Sequence, residues 1–470
     1  MKILHTADWH LGKRLNNYSR HEEQQIVLNE ICEIADRENV DVVIIAGDLF
    51  DTFNPPNEST SLFYKTCKRL SNNCLRPIIA IAGNHDSPER IEAPNPLARE
   101  CGIIFAGYPK SIIEPYELPN GFAVTRSTEG FIELKLMGYD YPLRILLAPY
   151  ANEYRLAEYL GVENTDETLR QLLAERWTHV FDSPIPLTLE TIPLTPEGGT
   201  TTGSSLTLNE GISPLTPEGG TSLDTIPPLR VSELPDSVPP LGVRGLGLSV
   251  NIAIAHLFVM VKGGEVPEEP EEERPINIGG ASAIYTENFP KQLQYIALGH
   301  LHRQQEISKK PCPVIYSGSP LGYSFNEKNQ DKYVMIIDAE PAQKVDYQRI
   351  KLKTPKKLYQ KTFEDMDTAL AWFAEHPDAL IQLTFISDET LSPILTKQLN
   401  EAHKGIVPPI NFHARNQDAL NGKETTINPD TDDIRSLFVE YFKTKNKGQE
   451  PNEELIQLFN EIRAVSERDV

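Results

Sequence analysis

Five apolar runs between residues 1 and 302 each stop at a side chain able to hold a metal ion. Met1–Leu4 leads into Asp8-Trp9-His10, and Val42–Ala46 into Gly47-Asp48. Ile78–Ala82 leads into Gly83-Asn84-His85-Asp86, and Ile252–Ala255 into His256. Tyr295–Leu298 leads into Gly299-His300-Leu301-His302. Runs this short, rich in β-branched residues and bounded by glycine, read as buried strands. Side chains at i and i+2 of a strand share a face, so Asp8 is expected to side with His10, and His300 with His302. Taken singly, each motif is weak. Asp-x-His is often a turn, and a lone histidine after a strand is more often a hydrogen-bonded core residue. Five strand ends in succession, each delivering Asp, Asn or His, argue for a metal cluster.

Residues 1–182 alternate strand and helix. His21–Glu38 carries Ile26, Leu28, Ile31, Ile34 and Ala35 at roughly helical spacing, with Ser19 as its expected cap. Glu58–Ser71 repeats the pattern through Leu62, Phe63, Thr66 and Leu70, and Thr165–Trp177 is a further helix. Successive βαβ units imply a sheet with parallel strands, whose ligands gather beyond the carboxyl ends. Asp8, Asp48 and Asn84 fall there. Strands resume at Asn251–Val261 and continue through Tyr295–Leu298, Val314–Tyr316 and Tyr333–Asp338, enough for a second sheet packed on the first.

Between Ser183 and Leu248 the chain has no aromatic residue and repeats one octapeptide, Pro193–Thr200 and Pro214–Thr221. Such a segment buries too little apolar surface to offset its ordering entropy, so it is expected to be a disordered insertion, with a partner-binding loop as the alternative. Val266–Pro275 is a smaller acidic loop. Lys351, Lys353, Lys356, Lys357 and Lys361 crowd one run, either a solvated strand and linker or a phosphate-backbone contact. Residues 363–413 form a small α/β unit, and 416–429 a polar linker. Two amphipathic stretches close the chain, with stripes Ile434/Leu437/Phe438/Tyr441 and Leu455/Leu458/Phe459/Ile462. They either fold back on the body or dock on a partner helix.

At 470 residues, two or three domains are the expectation. No run approaches the ~20 apolar residues of a membrane span, and the N-terminus opens a strand rather than a signal peptide. Five scattered cysteines without CxxC spacing fit reduced, packing thiols in a cytoplasmic protein. The net charge of −22 argues against a broad nucleic-acid-binding face of the chain's own. Nucleic acid remains open as a substrate, because divalent cations or a partner can supply the missing positive charge.

Two divalent cations about 3.5–4 Å apart can clamp a phosphodiester, activate a water and steady the leaving oxygen. They need a bridging carboxylate and mixed nitrogen and oxygen ligands, a set that suits Mn²⁺. Asp8, His10, Asp48, Asn84, His256, His300 and His302 supply that set. His85, beside Asp86, is placed to protonate a leaving alkoxide or stabilise the transition state. His5, His21, His179, His376, His403 and His413 lack this context and are expected to be structural or exposed.

These motifs resemble those of the calcineurin-like metallophosphoesterases. Leu4–Gly12, Gly47–Thr52 and Tyr316-Ser317-Gly318-Ser319-Pro320 resemble, more closely, the SbcD nuclease family. The resemblance covers residues 1–182 and 250–465. It implies an α/β two-sheet sandwich over 1–347, interrupted by the 183–248 insertion. A small capping domain at 348–415, a linker at 416–431 and a C-terminal helical pair at 432–466 complete the implied architecture. It further implies that Asp8, His10 and His302 hold one cation, that Asn84, His256 and His300 hold the other, and that Asp48 bridges them. His85 would act on the leaving group, with Asp86 orienting it. The implied function is Mn²⁺-dependent exonuclease and endonuclease action on DNA ends and hairpins in repair, replication or recombination. The implied partners are an SbcC-type coiled-coil ATPase, gripped by the helical pair, and a second copy of the chain packed through helices of the nuclease domain, expected at Glu58–Ser71 and Pro88–Cys101, making a homodimer within a heterotetramer.

Two other readings compete. One is a metallophosphoesterase acting on small phosphodiesters or phosphoproteins. Gly47-Asp48 is not followed by Asp-Arg-Gly, and Gly83-Asn84-His85 continues with Asp86 rather than Glu, both of which weaken the phosphoprotein version. The small-substrate version leaves residues 348–465 without a role. The other is a catalytically silent scaffold, which predicts missing ligands; none is missing.

Overall fold

The computed structural model describes residues 1–157, 165–182, 187–188, 249–267, 283–387 and 393–414, with Phe442 and Ile456. The expected insertion at 183–248 lies outside the described residues, apart from Leu187–Thr188. The linker at 416–431, the helical pair apart from Phe442 and Ile456, and most of the acidic loop also lie outside them. The chain divides into two compact units, residues 1–384 with 393–411, and 385–392 with 412–470. No unit boundary falls at 348; residues 348–384 belong to the first unit.

In chain order the main elements are β1 (Lys2–Thr6), α1 (His21–Arg37), β2 (Val42–Ala46), α2 (Asn57–Leu70), β3 (Ile78–Ile81) and β4 (Ile103–Ala106). There follow β5 (Ala123–Thr128), β6 (Phe131–Lys135), β7 (Leu143–Ala148), α3 (Thr165–Asp182) and β8 (Val250–His256). The last are β9 (Tyr295–Gly299), β10 (Val314–Tyr316), β11 (Tyr333–Asp338) and β12 (Asp346–Lys351). The first sheet has six strands in the order β12-β11-β1-β2-β3-β4. Its β1–β4 stretch is parallel, and β11 and β12 join antiparallel. The second, nine-stranded sheet contains β5 to β10, with β7, β8, β9 and β10 mutually parallel.

Alternation explains the layering. Ile3, Val42, Ile44, Ile79 and Ile81 turn one way and meet Ile132, Ile145, Ile252 and Ile254 of the second sheet. Leu4, Val43 and Ile45 turn the other way, onto Val27, Leu28 and Ile31 of α1 and Leu62 and Phe63 of α2. Leu146, Ala253 and Ile296 on the outer face of the second sheet receive Leu169, Leu173 and Trp177 of α3. The result is helix, sheet, sheet, helix. Each fully buried Ile or Leu contributes about 1.5–3 kcal/mol. The strands are buried on both faces, which is why they read as unbroken apolar runs.

Two expectations are corrected locally. The N-cap of α1 is Arg20, without a side-chain cap bond; Ser19, one residue earlier, accepts the His21 amide at 3.4 Å. The Arg20 guanidinium is instead buried and paired with Glu23 at 2.8 Å. Residues 88–101 are not one helix but three short pieces, Pro88–Glu92, Asn95–Ala98 and Arg99–Cys101. Pro94 and Pro96 remove two backbone donors there. Downstream of β12 come a strand at Leu358–Phe363, a helix at Met366–Glu375 capped by Asp365, a strand at Leu380–Ser387 and a helix at Pro393–Ala402. No helix among the described residues is long and apolar enough to cross a membrane.

Candidate metal centre

The carboxyl ends of β1, β2, β3, β8 and β9 converge where the two sheets meet, and all nine residues singled out from the sequence lie there. The convergence is made by backbone strain beyond the strands rather than by strand alternation. β1 stops at Thr6, so Asp8 and His10 lie in the following loop, with φ of 53° and 42°. Asp48 and His300 are also left-handed, at 47° and 111°. Non-glycine residues are uncommon in this region, and such strain persists only where surrounding contacts impose it. The expected i, i+2 pairing on a strand face is thus corrected: the side chains meet because the loops curl. Glycines leave the room. A Cβ on Gly83 would lie 2.1 Å from Asp48 Oδ1, and one on Gly47 would lie 2.2 Å from His256 Nδ1.

Two clusters share Asp48. In the first, His10 Nε2 lies 2.9 Å from His302 Nε2 and 3.5 Å from Asp48 Oδ2, and Asp8 joins the group. In the second, Asn84 Oδ1 lies 3.0 Å from His256 Nε2 and 3.2 Å from His300 Nδ1. Asp48 Oδ2 lies 3.3 Å from His256 Nε2. Neighbouring groups set the tautomers. His256 Nδ1 donates to the Ala46 carbonyl at 2.8 Å, so a neutral ring turns its Nε2 lone pair toward two oxygen acceptors. Acceptors facing acceptors need a cation or a proton between them. Among the described residues, Asp8 Oδ2 is buried with no hydrogen-bond partner.

The electrostatics point the same way. Burial lifts the Asp8 carboxyl to about 7, against the pull of His256 and His302. Burial also opposes charge on His256 and Asp48. Even so, Asp48 and Asp8 raise His256 to about 9, and His256 and His10 hold Asp48 well below the usual carboxylate range. Burial, helped by Lys13 at one and His256 at the other, keeps His10 and His300 well below the ordinary imidazole value. His10 and His300 are thus in the neutral form that divalent cations take, whereas His256 gives up its proton to a bound ion. The residues present fit a pair of such ions.

His85 and Asp86 lie beside this centre but not as an orienting pair. His85 is half-buried; its N–H donates to Asp48 Oδ1 at 2.9 Å, and its Nδ1 faces the Asp51 carbonyl at 2.8 Å. Asp86 is fully buried and accepts from the amides of Gly83 (2.8 Å), Phe50 (2.9 Å) and Leu49 (3.0 Å). The expectation that Asp86 orients His85 is therefore corrected. Its carboxylate is spent tying the loops after β2 and β3 together, and the group facing His85 is the Asp51 carbonyl. Arg155 clamps the same turn, donating to the carbonyls of Gly83 at 2.8 Å and Asp86 at 2.7 Å. Sequence reasoning missed Asp51, Arg155 and Glu327. Asp51 alone carried a signal, its place in the Gly47–Thr52 stretch; a buried arginine looks like any other in a string of letters.

His5 is structural: buried, with Nδ1 3.2 Å from the Tyr295 hydroxyl and Nε2 3.1 Å from the Leu298 carbonyl. Cys32, Cys67 and Cys312 are buried, and Cys74 and Cys101 are half-buried beside Lys68 Nζ.

The calcineurin-like phosphoesterase family model matches residues 1–237. The SbcD subunit of the Bacillus subtilis SbcCD nuclease is 32% identical over 475 residues, covering 100% of both chains. The chain belongs to the SbcD family. Two further SbcD subunits extend the match. That of Rhodobacter capsulatus is 31% identical over 72% of this chain and 66% of its own length. That of Staphylococcus epidermidis is 27% identical over 76% and 71%. As an SbcD-family member, the chain is a metal-dependent phosphodiester hydrolase with the calcineurin-like fold. The family model ends before β8, so His256, His300 and His302 lie beyond the residues it matches.

Proposed function

We propose that this chain is the DNA-cleaving subunit of an SbcCD-type complex, acting on DNA ends and hairpins with two divalent cations, Mn²⁺ by preference. Asp8, His10 and His302 hold one ion, Asn84, His256 and His300 the other, and Asp48 both. The observation that carries this reading is the convergence of those ligand atoms around Asp48 from five strand ends. When bound, the ions supply charge neutralisation at the phosphodiester and a nucleophilic water at neutral pH.

The chain's own residues do the rest. With Nδ1–H given to the Asp51 carbonyl, His85 keeps Nε2 as its remaining polar atom, free to hold or deliver a proton at the leaving oxygen. Asp86 and Arg155 fix the turn that carries it. Lys353, Lys356 and Lys357 line a cleft of about 350 Å³ with Tyr359, and these cations contact the DNA backbone. The chain's net charge of −22 leaves most of the DNA-binding surface to an SbcC-type coiled-coil ATPase, bound through residues 432–466. Two copies pair through α2 and residues 88–101 in a cytoplasmic heterotetramer serving repair, replication or recombination.

Digestion of linear duplex DNA under Mn²⁺ and under Mg²⁺, with and without the ATPase, tests the reading. Cleavage under Mn²⁺, abolished by Asp48→Asn, supports it. No DNA cleavage, alongside hydrolysis of a small chromogenic phosphodiester, points to the small-substrate alternative. Inactivity on both points to the scaffold.

A further inference from the structure

The segment Tyr316-Ser317-Gly318-Ser319-Pro320 supplies none of the proposed ligands, yet it is built around one of them. Ser319 N–H donates to the His302 carbonyl at 3.1 Å. The Lys332 ammonium donates to the same carbonyl at 3.1 Å and to Ser319 Oγ at 3.0 Å, and it spends its remaining donor on Glu327 Oε2. A Cβ on Gly318 would lie 2.7 Å from that His302 oxygen, so the strand end closes on it only with glycine there. Glu327 Oε1 accepts from the Tyr323 and Ser324 amides at 2.8 and 3.1 Å, and lies 3.7 Å from His302 Nδ1. Lys332 is 5% exposed and Glu327 2%.

We infer that Glu327 is a positioning residue for His302, with Lys332 holding both partners in register. A buried ion pair is weak evidence for stability, since apolar residues of the same volume often serve as well. Its use here is geometric. An imidazole that presents Nε2 to a cation needs its Nδ1–H held, which fixes the tautomer and the ring plane and raises the basicity of the ligand nitrogen. Glu327 stands at Nδ1. Lys332 neutralises Glu327 and grips the His302 main chain, so one ion pair constrains both the ring and the backbone of a single ligand. This inference rests on the reading of His302 as a metal ligand. The second cluster is held differently: the rings of His256 and His300 meet Asn84 Oδ1, His256 also meets Asp48 and the Ala46 carbonyl, and the His300 amide donates to Asp8. The effect is therefore confined to the cation held by Asp8, His10 and His302.

The test uses the full chain without DNA: calorimetric titration with Mn²⁺, the absorption spectrum with Co²⁺, and thermal melting. The variants are Glu327→Gln, Glu327→Asp and the double variant Glu327→Gln/Lys332→Met, which leaves no lone buried charge. The wild type is expected to bind two ions. Glu327→Gln and the double variant weaken one of them about 10–100-fold, leave the other unchanged and shift the Co²⁺ spectrum. Glu327→Asp restores part of the affinity. A folded double variant that binds both ions like the wild type, with an unchanged spectrum, overturns the inference alone. A wild type that binds no ion overturns the metal reading and this inference with it.

Discussion

His10 and His302 turn their Nε2 atoms toward each other at 2.9 Å, although 292 residues separate them. Both rings are buried, and Nδ1 of each lies within 3.7 Å of a carboxylate oxygen, Asp51 for His10 and Glu327 for His302. Two ring lone pairs at this distance repel unless an ion or a proton sits between them. Metal-stripped protein is therefore expected to melt lower than protein with Mn²⁺. At a free ion concentration a hundredfold above Kd, each site adds about 2.7 kcal/mol. Thermal melts with a chelator and then with added Mn²⁺ measure this, and an unchanged melt would contradict the site.

Replacing His85 with Gln separates chemistry from binding. The imidazole ranks as an acid–base group, so hydrolysis of DNA and of a small phosphodiester should fall about 100-fold or more. Mn²⁺ affinity should hold. Single-turnover kinetics beside a metal titration checks both, and full retained cleavage would remove His85 from the mechanism.

Gly83→Ala forces a methyl to 2.1 Å from Asp48 Oδ1 and 2.3 Å from its amide. Neither can retreat without dragging the proposed bridging carboxylate. Both bound ions should weaken together, in contrast to a change at a ligand of one ion only. Overpacking adds about 1–3 kcal/mol of destabilisation, readable in a urea melt.

Asp86→Asn tests the corrected role. The amide presents a donor where backbone donors already converge, leaving buried N–H groups unmatched at about 1–3 kcal/mol each. A fall in melting temperature should precede any specific kinetic defect. A variant as stable as the wild type, yet inactive, would return Asp86 to direct chemistry.

His5 sets an acid limit on stability. Burial lowers its pKa to about 3, against the raising effect of the Leu298 carbonyl. The unfolded chain takes up this proton near pH 6.5 while the folded chain refuses it. Stability contributed by neutral His5 is therefore whole above pH 6.5 and drains as pH falls toward 3. His5→Gln should flatten the fall by about 1.4 kcal/mol per pH unit between pH 6 and 5. Urea titrations at the two pH values compare the slopes; equal slopes would refute the assignment.

The letters alone determined the strands and the identity of the polar residues that end them. An apolar run buried on both faces can hardly be mistaken, so Val42–Ala46, Val314–Tyr316 and Tyr333–Asp338 have the same bounds in sequence reading and structure. Only the folded chain decided how those ends meet. Left-handed turns at Asp8, His10, Asp48 and His300 leave no periodicity to read, because they are imposed by contacts with distant segments. The same holds for Asp86, whose partners lie up to 37 residues away, and for Glu327, whose neighbour His302 comes from another strand end. Local pattern reports what one stretch prefers; the direction of a buried carboxylate depends on which unpaired amides the rest of the fold brings to it.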